Sequence, residues 1–161
     1  MVQGSSINLN INRIISYRKF CNKIWNSFKF AMDKFVFIKK FDAALINPLN
    51  ESFLNSWILC KLNKAIRQVN ESFDKYTLGE ATNAFYNFWL YELCDIYLEA
   101  TKPLFSNGTA EEKERAALTL FICLENGMRL LHPMMPFISE ELYLKLPAFD
   151  GKLKSITRAN Y

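Results

Sequence analysis

The sequence predicts an all-α protein, an antiparallel bundle of about five helices. Two observations carry this: five segments show apolar residues recurring near every 3.6 positions, and the five glycines and five prolines concentrate in the short breaks between them. No stretch competes with an alternating strand pattern. With 161 residues, half of them apolar, the chain can bury one sizeable core and make one domain. The expected organisation is a lead-in over residues 1–10, a bundle over 11–147 and a tail over 148–161.

The first helix is expected from about Ile11 to Phe35, with Asn10 as its cap and an apolar face of Ile14, Tyr17, Cys21, Ile24, Trp25, Phe28 and Met32. Val36 to Leu54 contains Asn47-Pro48 and no clear period, which predicts an irregular connector that packs down. The second helix is expected to begin near a capping Asn55, with the stripe Ile58, Leu62, Ala65, Ile66, Val69 and Phe73 facing inward and Lys61, Lys64 and Arg67 off it. Thr77 and Glu80 have the spacing of a capping box and open a third helix that should run to about Thr101, ahead of Pro103. Its core face is aromatic: Phe85, Phe88, Trp89, Leu93 and Ile96.

Thr109 and Glu112 repeat that signal after Gly108, and the fourth helix should bury Leu120, Phe121, Leu124, Met128 and Leu131. His132-Pro133 ends it, because proline disfavours helical geometry in the residue before it. Pro136 then suits the first turn of a short fifth helix with Phe137, Leu142 and Leu146 inward. The tail carries Gly151 and the basic residues Lys152, Lys154 and Arg158.

Several function classes are excluded by what the sequence lacks. Residues 1–10 have no signal-peptide pattern, and no apolar run approaches the roughly 20 residues of a membrane span, so no membrane partner and a cytoplasmic location are expected. Cys21, Cys60, Cys94 and Cys123 lie 39, 34 and 29 residues apart with no histidine at ligand spacing, which reads as core thiols and not as a metal site. No nucleophile–base pair or glycine-rich phosphate loop occurs, so no catalytic residue and no cofactor are expected in this chain. His132 reads as structural, and Asp95 with Glu99 as a solvated face or local ion pairs.

Charge is where the sequence becomes informative. Residues 1–40 hold eight Lys/Arg against one acid, Asp33, whereas the remainder holds twelve against fifteen. Such a concentration suggests a local site for a polyanion. At about 100° per residue, Asn12, Ser16, Lys19, Lys23, Asn26, Phe30 and Lys34 fall within about 40° of one direction on the first helix. All are polar but Phe30. Single-stranded RNA is held by rings that stack on bases, cations that track phosphates and amides that read base edges, and this face supplies each. Two alternatives stay open from geometry alone: Phe30 packed under the connector, or a partner-protein groove.

Four blocks of sequence add a resemblance: INLNINRIISYRKFCNKIWNSFKF (residues 7–30), LNSWILCKLNKAI (54–66), FWLYELCDIYLEATKP (88–103) and LLHPMMPFISEELY (130–143). In order and across nearly the whole chain, they resemble the anticodon-binding domain of valyl-tRNA synthetases. The LHPMMPF block is similar to several class I synthetases for branched aliphatic amino acids and methionine. By contrast, FCNKIWN and FWLYELCDIYLE resemble the valine enzymes, the latter in their eukaryotic cytosolic form. Ser5, Ser6 and Asn10 stand where the family commonly has Arg-Asp and a capping aspartate, and Met134 and Tyr143 where many members have phenylalanine and tryptophan.

The resemblance implies that the bundle docks the anticodon stem and loop of tRNA(Val). It places Phe30 against an anticodon base, with Asn26 and Lys29 as neighbours and Asn12 or Arg13 as polar contacts near the helix start, while Lys19 and Lys23 share the face by helix spacing. It also implies a parent valine-tRNA ligase in which ATP and Mg serve a catalytic domain with HIGH-type and KMSKS-type sequences, absent from this chain. The chain alone is then expected to be inactive, its partners being the tRNA and the other domains of the parent. A helical protein-interaction module without RNA specificity is the alternative.

Overall fold

In a computed structural model of the chain, residues 11–41, 46, 51–149 and 152–159 are described. They form an all-helical bundle, and no strand occurs among them. Helix α1 (Ile11–Lys34) runs into one 3-10 turn at Phe35–Phe37, and α2 spans Phe53–Asp74. Next, α3 (Leu78–Asn87), a π-helical stretch (Phe88–Leu98) and α4 (Glu99–Asn107) join end to end as one rod. Helix α5 (Ala110–Leu131) and the short α6 (Pro136–Lys145) follow, and a 3-10 turn at Ile156–Arg158 lies in the C-terminal segment. The expected cap Asn10, the lead-in 1–10 and Asn47-Pro48 lie outside the described residues.

Packing centres on the middle rod and α5. Trp89, Phe85, Phe88, Leu93 and Tyr97 of the rod are fully buried against Ile58 of α2 and Leu120, Leu124 and Met128 of α5. The expected α2 stripe holds, with Ile58, Leu62, Ala65 and Val69 buried and Ile66 and Phe73 half-buried. Leu120, Phe121, Leu124, Met128 and Leu131 of α5 are all buried. Its capping box is complete: Glu112 N donates to Thr109 Oγ1 at 3.3 Å and Thr109 N to Glu112 Oε2 at 2.8 Å. The Thr109 amide, with the Thr109 hydroxyl that donates to the same Oε2 at 2.9 Å, holds the Glu112 carboxyl below the usual range.

Six expectations require correction. The cap of α2 is Ser52, whose hydroxyl accepts from Asn55 N at 3.3 Å. Asn55 lies in the first turn and points inward, where its Oδ1 accepts from the Tyr97 hydroxyl at 2.8 Å and its Nδ2 donates to Glu51 Oε2 at 2.9 Å. Both residue types can cap, and the buried phenol takes the asparagine. At Thr77 the capping box does not close: the chain turns through Tyr76 at φ 57°, and the Thr77 hydroxyl donates to Glu80 Oε2 at 3.0 Å, accepting no helix amide.

The third predicted helix does not stop before Pro103, which sits inside α4. A π-helical stretch precedes it and the Thr101 hydroxyl donates to the Leu98 carbonyl at 3.0 Å, local adjustments of the kind that let a rod carry a proline. Ile96 of that stretch is exposed. Phe137 is 90% exposed, and α6 instead buries Ser139, Leu142 and Tyr143. Ser139 Oγ lies 2.8 Å from His132 Nδ1, while His132 Nε2 lies 3.1 Å from Thr157 Oγ1, so the sole histidine is a structural link to the C-terminal segment. There Ile156 is buried and its amide donates to Glu140. Finally, Cys94 and Cys123 are core thiols, Cys21 is half-buried and Cys60 is exposed. Burial raises the Cys94 thiol to about 11.

The two departures at Met134 and Tyr143 each find a local role. Tyr143 is fully buried, and its hydroxyl accepts from Leu153 N at 3.2 Å, a contact that requires the phenol oxygen. Met134 Sδ accepts from the Thr82 hydroxyl at 3.3 Å.

Candidate nucleic-acid interface

Helix α1 is buried along a different line from the one its apolar spacing suggests. Ile24, Ser27, Phe28 and Ala31 face inward, with Phe35 just beyond, whereas Ile14, Tyr17 and Trp25 are exposed. The buried line is rotated by roughly 60° toward the Lys23 and Phe30 side. Two bonds explain it. Trp89 Nε1 donates to Ser27 Oγ at 3.3 Å, and Ser27 Oγ donates back to the Ile24 carbonyl at 2.8 Å, so the one polar partner that the buried indole needs is a serine. Phe20 turns the same way, edge-on to Phe85 at 6.2 Å and tilted over Tyr86 at 4.7 Å.

That rotation sorts the candidate residues. Lys19, Asn26, Lys29 and Asn12 lie exposed on α1. Lys19 and Lys29 form no ion pair among the described residues. Arg13 lies in the first turn of α1, and its side chain is outside the description. Lys23 is exposed but committed: its ammonium meets Asp95 Oδ1 of the π-helical stretch at 2.7 Å, and that hydrogen bond raises its pKa.

Phe30 is not the solitary exposed ring that the helical wheel suggests. Half-buried, it lies edge-on to Phe105 of α4, with centroids 6.3 Å apart and planes at 69°. Phe37 of the 3-10 turn stacks on the same Phe105 at 6.0 Å and 15°. Lys34 Nζ lies 5.2 Å from the Phe30 centroid and 5.7 Å from that of Phe105, and Lys113 of α5 lies 5.7 Å from that of Phe37. Among the described residues Phe30 packs on α4, while the alternative of packing under the connector falls largely on residues outside the description. Phe37, Phe105 and Lys113 escaped the sequence reading because they meet across three elements; their one local signal is the FVF run beside lysines.

An exposed pair such as Lys23–Asp95 contributes little to stability, about 0–1 kcal/mol. Its loss should matter more for a polyanion. Asp95→Asn is expected to leave the melting temperature nearly unchanged while steepening the salt dependence of RNA binding, since a freed ammonium adds up to one phosphate contact. A titration of RNA affinity against salt checks this; an unchanged slope means that Lys23 stays away from phosphate.

Residues 55–161 match the family model described as the anticodon-binding domain of tRNA ligase. The chain belongs to that family. The match begins in α2, but curated relatives extend it over α1. Valine--tRNA ligase of Schizosaccharomyces pombe is 41% identical over 161 residues, covering 98% of this chain and 16% of that protein. Those of Takifugu rubripes and Homo sapiens are 47% and 45% identical over 90% and 91% of this chain, and each match covers 12% of the relative. The chain therefore spans a small fraction of the length of these relatives. Membership of an anticodon-binding family does not favour the alternative of a protein-interaction module.

The fold serves such a domain by holding one helix on the outside. Helix α1 is fixed through its second half to the π-helical stretch and α5, which leaves Lys19, Asn26 and Lys29 facing outward beside the Phe30 cluster. Among the described residues no group of His, Cys, Asp and Glu could hold a metal ion, and no helix is long and apolar enough to cross a membrane.

Proposed function

We propose that the chain recognises the anticodon stem and loop of tRNA(Val) as the anticodon-binding domain of a cytoplasmic valine-tRNA ligase. The observation that carries the reading is the exposed α1 face, where Lys19, Asn26 and Lys29 stand beside the half-buried Phe30 in a chain whose relatives are valine ligases. Phe30 stacks on a base of the loop, Asn26 and Asn12 offer amides to base edges, and Lys19, Lys29 and Arg13 track phosphate, with Lys23 on the same face able to join them once its pair with Asp95 opens.

In this reading the ligation of valine, with its ATP and Mg, belongs to segments of the ligase outside this chain. The domain acts through binding energy: correct docking of the loop makes charging depend on the tRNA presented.

Phe30→Leu separates stacking from packing, because leucine keeps an apolar contact on Phe105 but offers no ring face. The variant is expected to keep its helical content and lose about 1–3 kcal/mol of affinity for a hairpin carrying the anticodon stem and loop of tRNA(Val). Fluorescence anisotropy with the labelled hairpin measures the loss. Unchanged affinity would remove Phe30 from the interface.

A further inference from the structure

The sequence points to one stacking ring, whereas the structure holds a cluster at the place where α1, the 3-10 turn, α4 and α5 meet. Phe37 and Phe30 flank one nearly buried ring, Phe105, at 6.0 and 6.3 Å between centroids. Phe37 is half-buried and follows Val36, which is 78% exposed, so the turn presents apolar surface outward. Each of the two flanking rings has a lysine over it, Lys34 for Phe30 and Lys113 for Phe37. Neither lysine makes an ion pair among the described residues; Lys113 Nζ donates to the Ser106 carbonyl at 3.3 Å.

A ring whose face is covered by a flexible ammonium has a surface that a ligand can still take. The cation–ring attraction at an exposed site is weaker than the stacking of a nucleobase, and the lysine stem lets the ammonium swing to a neighbouring phosphate. Each ring with its lysine therefore offers both groups that one nucleotide of a single strand needs. The pairs differ in how they are held. Phe30 meets Phe105 edge-on, while Phe37 lies nearly parallel to it, so its second face is fixed in direction by the ring behind.

Resting on the anticodon-loop reading above, we propose that Phe37 with Lys113 forms a second nucleotide site, adjacent to that of Phe30 with Lys34. Two unpaired nucleotides of the loop are then held side by side, with Phe105 as the shared backing. Loop recognition extends off α1 onto the turn after it and the start of α5.

The test uses the full chain and the labelled anticodon hairpin of tRNA(Val). Phe37→Leu is expected to weaken binding about tenfold and Phe37→Tyr, which keeps the ring, to restore most of it. Lys113→Gln, which does not disturb the rings, should lower the slope of log affinity against log salt by about 0.7, one phosphate on a single strand. Circular dichroism melts run alongside identify any variant that loses its fold. If Phe30→Leu weakens binding while Phe37→Leu and Lys113→Gln bind as the parent chain does, the second site is overturned and the anticodon reading stands. If the parent chain does not bind the hairpin, both fall.

Discussion

Gly127→Leu is expected to destabilise the fold by at least about 3 kcal/mol, the upper range for forcing methylenes into a packed core. Even a single Cβ at Gly127 would lie 2.5 Å from Cζ3 and 3.1 Å from Cε3 of Trp89, well inside contact distance. The indole cannot step aside cheaply. It is fully buried, tilted against Phe85 at 5.6 Å, and tied through Nε1 to Ser27 on α1. Moving it would break the bond that orients α1, so the damage reaches the outward face as well as the core. Urea denaturation of Gly127→Ala and Gly127→Leu should show a graded fall in midpoint. A leucine variant as stable as the parent chain would mean that α5 and the rod can separate without cost.

Asn55→Leu is the second large effect, expected to cost about 2–3 kcal/mol. The Tyr97 hydroxyl, wholly buried and held far above its ordinary pKa by desolvation, donates to Asn55 Oδ1; its other near acceptor is the Ala116 carbonyl at 3.3 Å. Asn55 Nδ2 in turn donates to Glu51, whose side chain is 1% exposed and whose other oxygen meets Arg115 at 2.9 Å. Leucine would leave a phenol short of its best acceptor and a buried carboxylate short of a donor. Removing both partners should cost less than the separate losses add up to, so Asn55→Leu combined with Tyr97→Phe is expected to recover part of the stability. Strict additivity in a denaturation cycle would argue that the two groups do not depend on each other.

These two positions show where sequence reasoning reaches and where it stops. Periodicity located each rod and most of the core of α2 and α5, because there the apolar stripe alone decides the buried face. On α1 the stripe was legible but its direction was off by roughly 60°, since a serine serving a distant indole, and not the apolar count, sets the rotation. Asn55 looked like a cap, and Ser52 took that role because Tyr97 claims the amide from 42 positions away. Phe137 fitted the inward spacing of α6, yet Ser139 is inside to meet His132. Long-range polar pairs leave no local trace.

The same limit governed the candidate site. Lys19, Asn26 and Asn12 were placed outward by helix geometry alone, and Lys29 came from the family resemblance. Lys23, placed on the same face, already holds Asp95, and Phe30 already rests on Phe105, two contacts that join residues 72 and 75 positions apart. The family resemblance supplied a role for Phe30 that its spacing could not. The structure supplied its neighbours.

The most direct test of the central claim is competition at near-physiological salt between two hairpins of identical stem, one with the anticodon loop of tRNA(Val) and one with the anticodon bases scrambled. Stacking, amide readout and phosphate contacts acting together predict that the valine loop binds at least about tenfold more tightly, a preference of roughly 1.4 kcal/mol. Equal affinity for both would contradict the claim, leaving a basic surface that feels phosphate and reads no bases.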